Sequence, residues 1–352
     1  MVWPRIETAK RALGMVHPMT SVFFALVPCP QADWEGEAYR EFVSKLFRLQ
    51  KHPRFGERYT WVDAADSADL VIVLEPVSFK TATYRDVLWQ IPSVQHQPDK
   101  VFTINYDDAP LAFLPGIYAA MPFRRFEAMF TVAGCYLVNS PNQFVRRAGT
   151  KTDLTPKYLF TFRGSLSSPI RRRMSREPKL IRDDPRSKFT VVDAWFNHSD
   201  EQKKDYVDEI LLTKFVLCPR GQGTVSHRLF ETMELGRVPV IIADDWVEPD
   251  GPRWPEFSIR IPEAKINSIP SILSAREPLF SGMARLARRA WEEYFAPEVR
   301  LCRMLDQLME LKDGFGNTWI DYRVRWRVRR FHRGNVGPLW DRLRRRLGLF
   351  ET

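Results

Sequence analysis

Short apolar runs bounded by turn residues alternate, almost from end to end of this 352-residue chain, with segments whose apolar residues recur every three to four positions. The runs fit strands buried on both faces and the intervening period fits crossover helices, so an α/β fold with parallel strands is expected. In the first half, strands are predicted at Ser21–Val27, Asp69–Leu74, Val101–Tyr106 and Tyr136–Asn139, with helices at Glu35–Arg48 and Thr83–Trp89. The polar, aperiodic stretch Ala148–Lys157 reads as a linker. Beyond it, strands are predicted at Tyr158–Phe162, Phe189–Val192, Lys214–Leu217, Val238–Ile242 and, shorter, Phe257–Ile261. Helices fit Pro169–Met174, Lys203–Leu211, Ser226–Leu235 and Ile269–Ser274, and a long helical segment, Met283–Leu311, should break near Pro297. The chain is long enough for two domains. It divides into residues 1–150, residues 151–311 and a tail, 312–352, with a cleft between two comparable halves.

The stretch Leu217–Ile242 carries more chemistry than a plain crossover needs. Gly221 and Gly223 let the backbone turn sharply and let a ligand approach it. The helix that follows starts near Ser226 and aims its unpaired amides into the loop, which makes an anion site. Arg228, in the first turn, adds a forked donor suited to a diphosphate, and Glu231, three residues on, could accept from the vicinal hydroxyls of a ribose. The alternative is an ordinary surface ion pair between Arg228 and Glu231 beside a simple turn. Neither the P-loop nor the dinucleotide fingerprint is present. Gly236 fits the position just past a helix end.

The segment "LLTKFVLCPRGQGTVSHRLFETMELGRVPVIIADDWVEP" (Leu211–Pro249), preceded by "YLFTFRGSLSSPIRRRM" (Tyr158–Met174), resembles the exostosin family of glycosyltransferases, family 47. The resemblance covers the second half well and the first half weakly. It implies a GT-B-like fold: two Rossmann-like parallel-sheet domains facing a central cleft, acceptor side first and nucleotide-sugar side second. It implies an inverting transferase that moves a sugar from a nucleoside diphosphate to a glycan or lipid-linked acceptor, with no metal and no cofactor beyond the donor. By position, Arg228 would contact the diphosphate and Glu231 the ribose. Gly221, Gly223, Thr224 and Ser226 would form the phosphate loop, Arg163 and Gly164 would face the cleft, and Arg171 or Arg172 would be a second phosphate ligand. Arg237 departs from the family pattern, which has a small residue or Cys there. The family's eukaryotic members carry a membrane anchor, and its absence from this sequence leads to the expectation of a bacterial, cytoplasmic enzyme.

Inversion requires a proton to be removed from the acceptor. Asp108, after the Val101–Tyr106 run, is the favoured base and Glu75 its rival. The pair Asp107-Asp108 also admits a manganese reading or a simple Asx turn. Asp244-Asp245 could cap a loop or touch the donor, and His227 reads as an exposed helix residue. The four cysteines, at 29, 135, 218 and 302, lack metal-ligand spacing and read as buried small hydrophobes. The net charge of +10 is concentrated in the tail, where ten arginines between Arg323 and Arg346 face one acid, Asp341, for a local charge of +9. A basic tail is not a nucleic-acid groove, so no nucleic-acid partner is expected. With Leu339, Trp340, Leu343, Leu347 and Phe350 near one helical face, the tail suits peripheral contact with an anionic membrane, or docking on its own domain. The rival function is a sugar-nucleotide-binding subunit without catalysis.

Overall fold

The computed structural model describes residues 19–27, 40, 43–44, 46–48, 51–75, 84–136, 142–149, 154–181, 185–193 and 198–315. Among the described residues, eleven strands form two sheets. The first has the order β2-β1-β3-β4-β5-β6, built from β1 (Thr20–Leu26), β2 (Tyr59–Trp61), β3 (Leu70–Glu75), β4 (Val101–Asn105), β5 (Gly116–Tyr118) and β6 (Thr131–Ala133). The second has the order β11-β10-β9-β7-β8, from β7 (Tyr158–Gly164), β8 (Ser187–Val191), β9 (Thr213–Pro219), β10 (Val238–Ile242) and β11 (Ile259–Arg260). Every pairing in both sheets is parallel. Each sheet reverses strand order once, between β1 and β3 and between β7 and β9, which opens a crevice at the carboxyl ends of those strands.

Alternation along each strand feeds two layers. On β3, Leu70, Ile72 and Leu74 face one core while Val71 and Val73 face another. On β9, Val216 and Cys218 join the first of these cores while Phe215 and Leu217 enter a third. The first core is therefore common to both halves. It runs from β1, β3 and β4 through α4 (Asp200–Leu211) and α5 (His227–Glu234) to α7 (Pro297–Phe315).

The helices that matter for the site are α1 (Tyr84–Trp89), α2 (Gln143–Ala148), α3 (Pro169–Met174), α4, α5, α6 (Phe280–Ala290) and α7. Ser199 caps α4 through a reciprocal capping box with Gln202, which explains why that helix starts three residues earlier than its apolar period suggests. Gly236 takes φ of 63° after α5; its N–H reaches Met233 O at 3.0 Å and that of Arg237 reaches Thr232 O at 2.9 Å, a Schellman end. The expected break falls at a π-helical turn, Trp291–Phe295, and Pro297 then starts α7. That helix returns to the first sheet: Asp306 accepts from Arg58 at 2.7 Å and from the Tyr59 hydroxyl, and Lys312 donates to Asp69 O at 2.7 Å. Among the described residues no helix is long and apolar enough to cross a membrane.

Three strands escape the apolar pattern, β2, β5 and β6, each only three residues long. Of the expected strand Tyr136–Asn139, Tyr136 lies outside any strand and residues 137–139 fall outside the described set, as do parts of Glu35–Arg48 and of the linker, and the tail from residue 316.

Candidate active site

Two arginines, Arg171 and Arg228, line the crevice between β7 and β9, and among the described residues neither is in a close ion pair. Arg171, on α3, is 8% exposed and threads under the loop after β9. It donates to Pro219 O at 3.2 Å, Ser165 O at 3.3 Å and Ser167 Oγ at 3.2 Å, and reaches Ser226 Oγ at 3.5 Å. Ser168 fixes α3 there, accepting from the Arg171 N–H and donating to Arg220 O. Arg228, at the start of α5, is 7% exposed. Its Nη2 donates to Arg163 O, while Nε and Nη1 are buried with no partner. Its guanidinium lies 4.7 Å from the Phe162 ring centre, and that of Arg171 lies 5.7 Å from the same ring. Burial and the neighbouring Arg228 together pull the Arg171 pKa down to about 9. Thr224 Oγ1 and Ser165 Oγ are also buried without partners, and no side chain caps α5 at Ser226. Buried donors without partners are costly and rare, and four such groups around an uncapped helix start could accept an anion.

Glu231 stands one turn along α5 and accepts from the Tyr206 hydroxyl of α4. No hydrogen bond or ion pair joins it to Arg228, which removes the surface-pair alternative. Burial raises its pKa; the Tyr206 hydrogen bond and Arg228 oppose the rise.

Gly221 and Gly223 both have negative φ, so they do not serve left-handed turns. A Cβ on Gly223 would sit 2.6 Å from Asp108 Oδ1 and 3.0 Å from the Tyr136 hydroxyl, so this glycine allows the loop after β9 to close on the first domain. Across that contact Tyr136 donates to Asp108 Oδ1 at 2.5 Å, and His227 stacks on the Tyr136 ring with 3.9 Å between ring centres. Asp108 and His227 are both exposed, His227 as expected of an outward helix residue, yet enough protein surrounds each to disfavour its charged form. Burial accordingly raises the Asp108 pKa, and it lowers that of His227 to about 4, with Arg171 adding to the effect.

Several expected residues stand elsewhere. Glu75 is fully buried, accepting from the Tyr84 hydroxyl and from Thr103 Oγ1, both at 2.7 Å; it is a core carboxylate with no surface to offer an acceptor. Arg163 offers the site its carbonyl, because its strand position turns the side chain the other way, onto Glu209 at 3.2 Å beside Lys188. Gly164 lies against Arg228 Nη2, where a Cβ would come within 2.7 Å. Arg172 points outward and donates to Leu166 O at 3.1 Å, so Arg171 is the arginine of that pair that enters the site. Asp107 makes the Asx turn, accepting from Ala109 N at 2.9 Å. Asp244 accepts from Glu263 N, and Asp245 pairs with Arg124. Arg237, the departure from the pattern, is buried and donates to carbonyls at the ends of two helices, Leu211 O and Leu235 O among them. Tyr136, Tyr206, Ser165 and Phe162 had no local signal as site residues, since each comes from an element outside the glycine loop.

Two doubly wound parallel sheets that close on one crevice, with a bare cationic helix start on one wall and an acid on the other, make the GT-B arrangement. Residues 126–275 match the model of the Exostosin GT47 domain. The chain is 33% identical over 114 residues to the "Probable glucuronoxylan glucuronosyltransferase IRX7" of Arabidopsis thaliana, a stretch covering 30% of this chain and 25% of that protein. It is 34% identical over 82 residues to the "Probable beta-1,4-xylosyltransferase IRX10" of the same plant, covering 23% of this chain and 20% of the relative. The matches thus span about a quarter of the length of these curated relatives or less. These relatives are plant proteins and lend no support to the expected bacterial origin. A solved glycosyltransferase structure from Rickettsia africae ESF-5 aligns over 86% of this chain and all of its own at 8% identity, with a TM-score of 0.44.

Proposed function

We propose that this protein is an inverting glycosyltransferase that moves a sugar from a nucleoside diphosphate to a glycan or lipid-linked acceptor. The observation that carries the reading is Arg228: a buried guanidinium with two donor groups left without partners, beside a second buried arginine and the bare start of α5. A diphosphate supplies the missing negative charge and acceptors together. As the sugar leaves, charge grows on the diphosphate, and donors already fixed in place stabilise it without reorganising. Arg228 and Arg171 thereby take the part a divalent cation plays in other transferases. Asp108, its Oδ1 held by Tyr136, offers Oδ2 as base to the acceptor hydroxyl; the raised pKa makes it a better proton acceptor than an ordinary carboxylate. In this reading the enzyme works in the cytoplasm, peripheral at the inner face of the membrane.

The test is release of free nucleoside diphosphate when nucleotide sugars, including UDP-xylose and UDP-glucuronate, are offered with oligosaccharide and lipid-linked acceptors in EDTA. Acceptor-dependent release in chelator supports the proposal. Binding of nucleotide without release under any pairing favours the non-catalytic subunit instead, and abolition by EDTA with rescue by manganese removes the role given to the arginines.

A further inference from the structure

Arg228 and Glu231 share a neighbour that lies outside the glycine loop and its helix. Tyr206, on α4, donates its hydroxyl hydrogen to Glu231 Oε2, and its ring centre lies 5.7 Å from the Arg228 guanidinium carbon. Phe162, at the end of β7, supports the same guanidinium at 4.7 Å. The position of Tyr206 is not free to drift. Its neighbours Val207, Ile210 and Leu211 are all buried in the core common to both halves, and the capping box at Ser199 anchors the start of the helix. One tyrosine on a rigid element thus touches both groups that the donor would engage.

We infer that Tyr206 is a positioning residue of the donor pocket: it holds the Glu231 carboxylate for the two hydroxyls of a ribose and so sets a preference for ribonucleotides over 2′-deoxyribonucleotides. The inference rests on the sugar-nucleotide reading above. An ionised carboxylate offers about four lone-pair sites and turns readily about its last bond. With one site of Oε2 taken by Tyr206, the plane of the group is set, and Oε1 with the remaining sites can accept from adjacent hydroxyls. Charge matters as well as direction. Burial favours the neutral carboxyl, which would present a donor where the ribose needs an acceptor; the Tyr206 hydrogen bond and Arg228 act against that. Glu234 on the same helix and Cys218 on β9 also feel the Glu231 charge. Removing the tyrosine hydroxyl therefore loosens the carboxylate and raises its pKa at once.

Calorimetric titration of UDP, ADP and GDP and their 2′-deoxy counterparts tests this with wild-type protein, Tyr206→Phe, Glu231→Gln and the double variant. Wild type should prefer the ribonucleotide. Tyr206→Phe should lose about tenfold for the ribonucleotide, the cost of one charge-assisted hydrogen bond, and less than about twofold for the deoxynucleotide. The double variant should bind no worse than Glu231→Gln alone. On acidification, the ribose preference of Tyr206→Phe should disappear at a higher pH than that of wild type. Equal losses on both nucleotides, accompanied by a lower melting temperature, would mark a packing role and overturn the inference. Wild type that binds diphosphates without regard to the 2′-hydroxyl also overturns it while leaving the proposed function standing. Failure of every diphosphate to bind wild type sinks the proposed function itself.

Discussion

Replacing Arg228 by methionine keeps most of its volume and removes its charge. In the ligand-free protein this arginine is as much a burden as a support. Its Nε and Nη1 are buried without partners, and each such donor costs about 1–3 kcal/mol. Arg171, nearby, adds repulsion. Against this stand the contacts with the Phe162 and Tyr206 rings, together about 0.5–2 kcal/mol, and the hydrogen bond to Arg163 O, about 1 kcal/mol. The balance puts Arg228→Met between about 1 kcal/mol less stable and about 4 kcal/mol more stable than wild type in the absence of ligand, with the middle of the range on the stabilising side. Nucleotide acts in the opposite direction. A diphosphate at 100 times its Kd stabilises wild type by about 2.7 kcal/mol. Losing contacts of about 1.5–3 kcal/mol weakens binding roughly 10- to 150-fold. The same concentration then contributes only about 1.3 to 0.3 kcal/mol. Thermal unfolding with and without nucleotide, with Kd measured by calorimetry, reads both quantities. A variant that melts several degrees below wild type without ligand, yet keeps the full ligand shift, would show that Arg228 is a packing residue and refute this account.

Further outcomes are expected elsewhere. Asp108→Asn should abolish transfer while nucleotide still binds, because Asp108 hydrogen-bonds to Tyr136 and forms no hydrogen bond or ion pair with either arginine. The rate in wild type should fall on acidification through a pKa above the ordinary carboxylate range. Tyr136→Phe, which removes a hydrogen bond favouring the ionised form, should move that limb to higher pH. Arg237→Met should lower stability by about 1–3 kcal/mol by orphaning carbonyls at two helix ends, with nucleotide affinity unchanged in titration. Deleting residues 326–352 should abolish low-salt pelleting with anionic vesicles; equal pelleting of both forms would count against membrane docking.

How legible this was depended on range. The apolar runs named the central strands to within a few residues because parallel strands are buried on both faces, and burial writes itself into composition. Arg228 and Glu231 were readable because a helix start and a one-turn spacing are local facts. The choice between Arg171 and Arg172 was not, since it depends on which face of α3 meets the β9 loop. Arg163 misled for a related reason: Phe162 and Arg163 point to opposite layers, and the sequence does not say which layer holds the ligand. Glu75 ends an apolar strand, as a cleft acid would, but Thr103 and Tyr84 satisfy it from elements 28 and 9 residues away. The edge strands β2, β5 and β6 are too short to carry a period of two.

The return of α7 to the first sheet bears on how the chain is made. Its contacts with β2 and the residue before it join positions 247 and 248 residues apart. A first domain emerging from the ribosome would therefore wait for nearly the whole of the second before its edge was covered. Until then Tyr59, buried in the finished protein, would lie open beside an unpaired strand edge, a surface that invites aggregation. Contacts of such long sequence separation also slow folding, so α7 is expected to complete the first domain late. Residues 1–150 expressed alone would reproduce the exposed species, and supplying the α7 segment in trans would be the direct way to rescue it.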